Sequence, residues 1–218
     1  RWFEGLIAVY RVYDITGEKW LLTLAKKMSV EGFDWRKIFE RNLLDDCTNG
    51  WEMFSHVVNI AMMMKSEALL SLFDENIDGE EFADMAFEYL TKNHGSAIGH
   101  FNGDENLPGK LPIQGAELCS IVELMYSYEV IFAVTGNPKW LDRLELLAYN
   151  SLPATLTADM WAHQYVQMVN QVASYPMSKQ PFRTNNNDAH LFGLEPHFGC
   201  CTANFGQGQQ SMESLHRM

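Results

Sequence analysis

"AELCSIVELMYSYEVIFAVTGNPKWLDRLELLAYNSL", residues 116–152, decides how the chain is read. Its apolar residues recur at three-and-four spacing as far as Val134, stop at Thr135-Gly136, and resume with Trp140, Leu141 and Leu144. That is the period of two amphipathic helices, and a glycine just beyond the last periodic residue is the ordinary stop signal. The segment predicts an αα-hairpin with a tight glycine turn.

The same design recurs upstream. "WFEGLIAVYRVYDI" (2–15) stops before Thr16-Gly17, and "EKWLLTLAKKM" (18–28) resumes the pattern. "SEALLSLFDENIDGEEFADMAFEYLTK" (66–92) reads as helix, turn at Asp78-Gly79, helix. The turn glycines fall at 17, 79 and 136, and two of the turns share wording, "TGEKWLL" and "TGNPKWLD". Self-similarity at a period of about 60 residues is the mark of a repeat architecture. The expected fold is all-α, with repeated αα-hairpins forming part of an (α/α)6 toroid whose inner helices and loops line a central cavity. At that period the chain supplies about half of a closed ring. Residues 1–218 are therefore expected to be one piece of a longer catalytic or binding barrel, which agrees with a start at Arg1 rather than Met.

Composition narrows the partners. The formal charge is −12, from 28 acidic and 16 basic residues, with no cluster of Lys and Arg. A phosphate backbone would be repelled, so no nucleic acid is expected. No apolar run approaches the roughly 20 residues of a membrane span, so the chain is expected to be soluble, with no membrane partner. Aromatic, His, Asn and Gln side chains are plentiful, which suits a neutral carbohydrate ligand.

The signals for strands are few. "HQYVQMVNQVASY" (163–175) alternates enough for a short strand or an extended run. "NNNDAHLFGLEPHFGCC" (185–201) is rich in turn residues and reads as an irregular loop. Residues 92–115 hold five glycines and two prolines and read as a second long loop. Loops of such length in a compact domain are usually functional. "DENIDG" (74–79) imitates the start of a calcium loop, but the bidentate Glu required at its twelfth position is Met85, so a plain turn is expected.

Four cysteines, at 47, 119, 200 and 201, are too few for a disulfide scaffold and wrongly spaced for a zinc ribbon. Glu117 and Cys119, one residue apart, would diverge by about 200° within a regular helix. At a first helical turn they can converge; otherwise Cys119 is core filler, since free Cys is often buried. Cys200 and Cys201 sit side by side among glycines, where packing and a vicinal disulfide are both poor explanations. With Glu117 and Cys119 they would supply three sulfurs and one oxygen, a set suited to tetrahedral zinc and not to calcium or magnesium. Asp104 and Glu105, in "HFNGDENLPG" (100–109), offer a carboxylic acid for proton transfer; the alternative is a solvated acidic turn. Cys47 has no partner in this pattern and reads as structural.

"FNGDENLPGKLPIQGAELCSIVELMYSYEVI" (101–131), "WLDRLELLAYNSLPATLTADMWAHQYVQMVNQV" (140–172) and "HFGCCTANFGQG" (197–208) resemble consecutive blocks of the β-L-arabinofuranosidase family of glycoside hydrolases (family 127 and its relatives). "HVVNIAMMMK" (56–65) resembles an earlier block of that family. The Glu-x-Cys and Cys-Cys elements are the specific part of the match.

The resemblance implies a catalytic (α/α)6 barrel with Zn2+ held by Glu117, Cys119, Cys200 and Cys201. It implies Cys200 as nucleophile and Glu105 as general acid/base, with Asp104 as fallback because "GDE" departs from the family's Gly-Glu-Ser wording. Retaining hydrolysis of a β-linked L-arabinofuranoside or similar sugar would follow, through a cysteine thioglycosyl intermediate. His56, Tyr165 and His197 are expected to bind the sugar, and Gln164 and Gln167 to face the cavity. Two alternatives stand beside the hydrolase: a non-catalytic, zinc-stabilised carbohydrate-binding barrel, and a sugar epimerase on the same toroid. Thiolate ligands favour a reducing interior, so a cytoplasmic location is expected.

Overall fold

The structure, a computed structural model, describes residues 1–45, 52–178, 186–194 and 198–215. Cys47 and His197 lie outside the described residues. The helices are α1 (Trp2–Thr16), α2 (Trp20–Glu31), α3 (Trp35–Glu40), α4 (Val57–Met63), α5 (Ser66–Ser71), α6 (Glu81–His94), α7 (Leu118–Thr135), α8 (Lys139–Leu146), α9 (Leu152–Ala154) and α10 (Gly199–Leu215). A π-helical turn, Leu147–Ser151, joins α8 to α9. Strand β1 (Ala116–Glu117) pairs antiparallel with β2 (Val166–Gln167). The expected all-α class and its hairpins are present.

Two of the three turn glycines work as expected. Gly17 (φ 67°) and Gly136 (φ 70°) take the left-handed conformation just past α1 and α7, and their amides return to the Tyr13 and Phe132 carbonyls. Gly79 does not. There Asp78 makes the turn, its Oδ1 accepting the amides of Glu80 at 2.8 Å and Glu81 at 3.3 Å. A carboxylate of this kind caps the orphan donors at the start of α6. The calcium-like "DENIDG" is indeed a turn: Asp74 Oδ1 accepts the Asn76 amide at 3.0 Å.

Helix α7 is the axis of the fold and packs against α4, α5, α8 and α10. Its 18 residues have a mean hydropathy of 1.5, long and apolar enough to cross a membrane by length and composition, contrary to the expectation that no run comes near. Its burial explains that composition: Leu118, Ile121, Val122, Leu124, Met125, Tyr128 and Ile131 are enclosed by other helices. Each such side chain contributes about 1.5–3 kcal/mol on burial. At the Gly136 end of α7, Lys139 bridges Glu80 (2.7 Å) and Asp84 (2.5 Å), and Trp140 Nε1 donates to Glu80 at 3.3 Å. These bonds fasten the hairpin turn of α7–α8 to the start of α6.

Cys200 and Cys201 are not in an irregular loop. They stand in the first turn of α10, which lies along α7. Gly208 permits that approach, since a Cβ there would lie 2.9 Å from Val122 Cγ2 and 3.2 Å from Leu152 Cδ2. Gly208 is thus a contact point between helices.

Candidate metal centre and acid–base site

The start of α7 settles the convergence of Glu117 and Cys119. Glu117 is extended (φ −74°, ψ 134°) and belongs to β1, while Cys119 is already helical. The 200° divergence of a regular helix therefore does not apply. Strand β2 fixes the change of direction: the Leu118 amide donates to the Tyr165 carbonyl at 2.9 Å, and Glu117 pairs with Val166.

Donor atoms of Glu117, Cys119, Cys200 and Cys201 lie within 4.8 Å of one another. Glu117, Cys119 and Cys201 are buried, and Cys200 is exposed. Cys119 and Cys201 bring their sulfurs to 3.3 Å. Around tetrahedral zinc, with Zn–S about 2.3 Å, sulfurs stand about 3.8 Å apart, so the cluster needs only a small expansion to hold the ion. The donor chemistry agrees. Burial, then the charges of Glu105, Asp104 and Cys200, push the Glu117 carboxyl up to about 8. Its thiol neighbours push the Cys201 thiol far up, with burial adding to this. Three sulfurs and one carboxylate oxygen drawn this close are the soft, four-donor set that zinc takes. The residues fit zinc.

Cys200 behaves differently. The Cys201 thiol beside it, and secondarily Cys119, hold its thiol down to about 6 despite partial burial. It also sits at the N-terminus of α10, where unpaired amides favour a thiolate. The most accessible sulfur of the cluster is thus the most readily ionised.

Next to this cluster stands Glu105, which has φ 67°, a conformation uncommon for a residue with a side chain. Neighbouring backbone holds it there: its carbonyl accepts the Val57 amide at 2.9 Å, and its amide donates to Glu117 Oε2 at 3.4 Å. Tyr165 Oη donates to its Oε1 at 2.7 Å. His56 Nε2 lies 3.3 Å from its Oε2. The Asn59 amide donates to His56 Nδ1 at 3.4 Å, capping α4, so the imidazole proton sits on Nε2 and is given to Glu105. Burial, then the charges of Glu117, Asp104 and Glu105, raise the Tyr165 phenol far above its ordinary value and keep it a donor.

These contacts show where several of the residues singled out in the sequence stand. His56 and Tyr165 reach the site, and both hold Glu105; its neighbour Asp104 adds negative charge to Glu117 and Tyr165. Gln164 and Gln167 do not serve the cavity with their amide nitrogens, which bind the carbonyls of His190 and Ser151. Phe198, stacked on Tyr165 at 3.8 Å, and Thr202, held by His163 at 3.1 Å, were not expected from sequence. The aromatic beside "GCC" and the hydroxyl after it were the available signals.

A family model described as "Beta-L-arabinofuranosidase, GH127 catalytic domain" matches residues 4–214. A solved structure titled "Glycoside hydrolase" is similar in fold, with a TM-score of 0.60 at 14% sequence identity, over 96% of this chain. The chain spans 37% of the length of that structure. No curated protein matches the chain by sequence. With residues 4–214 matched, the chain belongs to the GH127 β-L-arabinofuranosidase family, through its catalytic domain.

Proposed function

We propose that the protein of which this chain is part is a zinc-dependent retaining glycoside hydrolase acting on a β-linked L-arabinofuranoside or a similar sugar. One observation carries the reading: of four converging ligand groups, three are buried and the fourth, Cys200, is exposed beside the gripped carboxylate of Glu105. Glu117, Cys119, Cys200 and Cys201 would hold the ion. Zinc, when bound, supplies positive charge that keeps the thiols ionised and fixes their direction.

The chain's own residues then divide the work. Cys200 Sγ attacks the anomeric carbon, forming a C–S bond as the C–O bond to the leaving group breaks. Glu105, entering as the acid, gives its proton to the departing oxygen. Tyr165 and His56 donate to the carboxylate left behind and hold it in place. Glu105 then takes a proton from water, whose oxygen displaces Cys200 from the sugar and restores the thiolate. Two inversions leave the configuration retained. Sulfur takes the part usually played by a second carboxylate.

The test joins metal analysis to hydrolysis of an aryl β-L-arabinofuranoside by wild type and by Cys200→Ser. One zinc per chain, with turnover lost in the variant, is the expected result. Zinc without turnover in the intact protein would favour the carbohydrate-binding barrel, and turnover surviving in Cys200→Ser would remove the nucleophile.

A further inference from the structure

We propose that His163 is a positioning residue for the cysteine pair, acting through Thr202. The inference rests on the zinc reading above. His163 is buried and fixed by two backbone bonds: its amide donates to the Gly193 carbonyl at 3.0 Å, and the Gly193 amide returns to its carbonyl at 3.1 Å. Its ring is set as well. Nδ1 faces the Gln164 carbonyl at 3.3 Å, and a carbonyl only accepts, so Nδ1 carries the proton. Nε2, 3.1 Å from Thr202 Oγ1, therefore accepts the threonine hydroxyl.

Thr202 follows Cys201 directly and lies in the first turn of α10. The same imidazole leans on Phe205, with ring centroids 5.9 Å apart and planes inclined by 35°. Thr202 and Phe205 are three residues apart and share a helix face. His163 thus grips α10 at two adjacent points, from a loop that also carries Tyr165. The need for such a grip is physical. A first helical turn has few intrahelical bonds and frays readily. A zinc site tolerates ligand distances within about 0.2 Å, so a small rotation of this turn would displace both sulfurs by more than the site allows. His163 acts through α10 and need touch neither substrate nor metal.

The experiment measures zinc affinity by chelator competition in the intact chain, with the cobalt-substituted form as a spectroscopic check. His163→Leu and Thr202→Val should each weaken zinc binding ~10-fold, in the range of other supporting-residue losses. The double variant should be no worse than His163→Leu alone, because that substitution already removes the contact that Thr202→Val removes. His163→Gln, whose amide oxygen keeps an acceptor for the threonine hydroxyl, should stay within about threefold of wild type. The thiolate-to-cobalt charge-transfer band should weaken in Leu and Val variants and recover in Gln. Wild-type affinity in a folded His163→Leu overturns the proposal, as does additivity in the double variant. If His163→Leu fails to fold, Thr202→Val at its exposed position decides, and wild-type affinity there overturns the proposal. A wild-type chain that takes up no zinc overturns the metal reading and this inference together; one that binds zinc without responding to these variants overturns the inference alone.

Discussion

Tyr165 Oη lies 2.7 Å from Glu105 Oε1 while its ring stacks on Phe198 at 3.8 Å, so one side chain touches both the Glu105 carboxylate and the residue just before the helix of Cys200. Removing only the hydroxyl separates those two roles. Tyr165→Phe keeps the stack and deletes the donor to Glu105. A hydrogen bond to a charged acceptor is worth about 1.5–3 kcal/mol, so kcat should fall roughly 10- to 100-fold, with zinc content unchanged. Steady-state kinetics and metal analysis on the same preparation check it. Loss of zinc in the variant would show that Tyr165 supports the cluster and not the carboxylate.

The two adjacent cysteines should respond differently to the same substitution. Cys201 is fully buried against Cys119, whereas Cys200 is exposed. Cys200→Ser should leave most of the zinc in place, since three donors remain, and should reduce turnover by about 1,000-fold or more, as loss of a covalent nucleophile does. Cys201→Ser should lose zinc and turnover together. Metal content after dialysis, followed by turnover at saturating zinc, distinguishes the pair. Equal zinc loss in both variants would contradict the assignment of separate roles.

What the sequence revealed was what depends on neighbours along the chain. Helical period and the glycines at 17 and 136 announce the hairpins because both are local matters of backbone geometry. The grouping of Glu117, Cys119, Cys200 and Cys201 was legible because few roles suit three cysteines so spaced. The structure differs where a residue's meaning lies across the fold. Gly208 gave no signal of its role, because Val122 and Leu152, which it must approach, are far away in sequence. Nothing near His56 in sequence reveals that its Nε2 points at Glu105. His163 had no signal at all: its partners Gly193, Thr202 and Phe205 are assembled only by tertiary contacts.

His100 should make stability depend on pH independently of the site. It is buried, and burial lowers its imidazole to about 4 against an ordinary 6.5. The folded chain therefore refuses a proton that the unfolded chain accepts between these two values. Stability is full above about pH 6.5 and falls as pH drops towards 4, by up to ~3 kcal/mol. His94, also lowered by burial, acts in the same direction. His100→Asn keeps a donor for the Phe101 carbonyl and cannot titrate, so urea unfolding from pH 7 to 5 should show a shallower loss in the variant. An unchanged slope would exclude His100 as the source.

Oxidation should compete with metal for the same two sulfurs. Cys119 and Cys201 stand 3.3 Å apart, already inside van der Waals contact, on helices that pack along one another. Joining them needs the sulfurs to close to about 2.05 Å and the side chains to reach a dihedral near 90°. Zinc held between them would prevent both movements and occupy the lone pairs an oxidant attacks. A mild thiol oxidant applied to chelator-treated protein should therefore yield a Cys119–Cys201 crosslink, visible as a joined peptide in mass spectrometry, and abolish later zinc uptake. Zinc added first should suppress the crosslink, and a reductant should restore uptake. Equal crosslinking with and without zinc would mean that these sulfurs do not bind the ion, whatever their proximity.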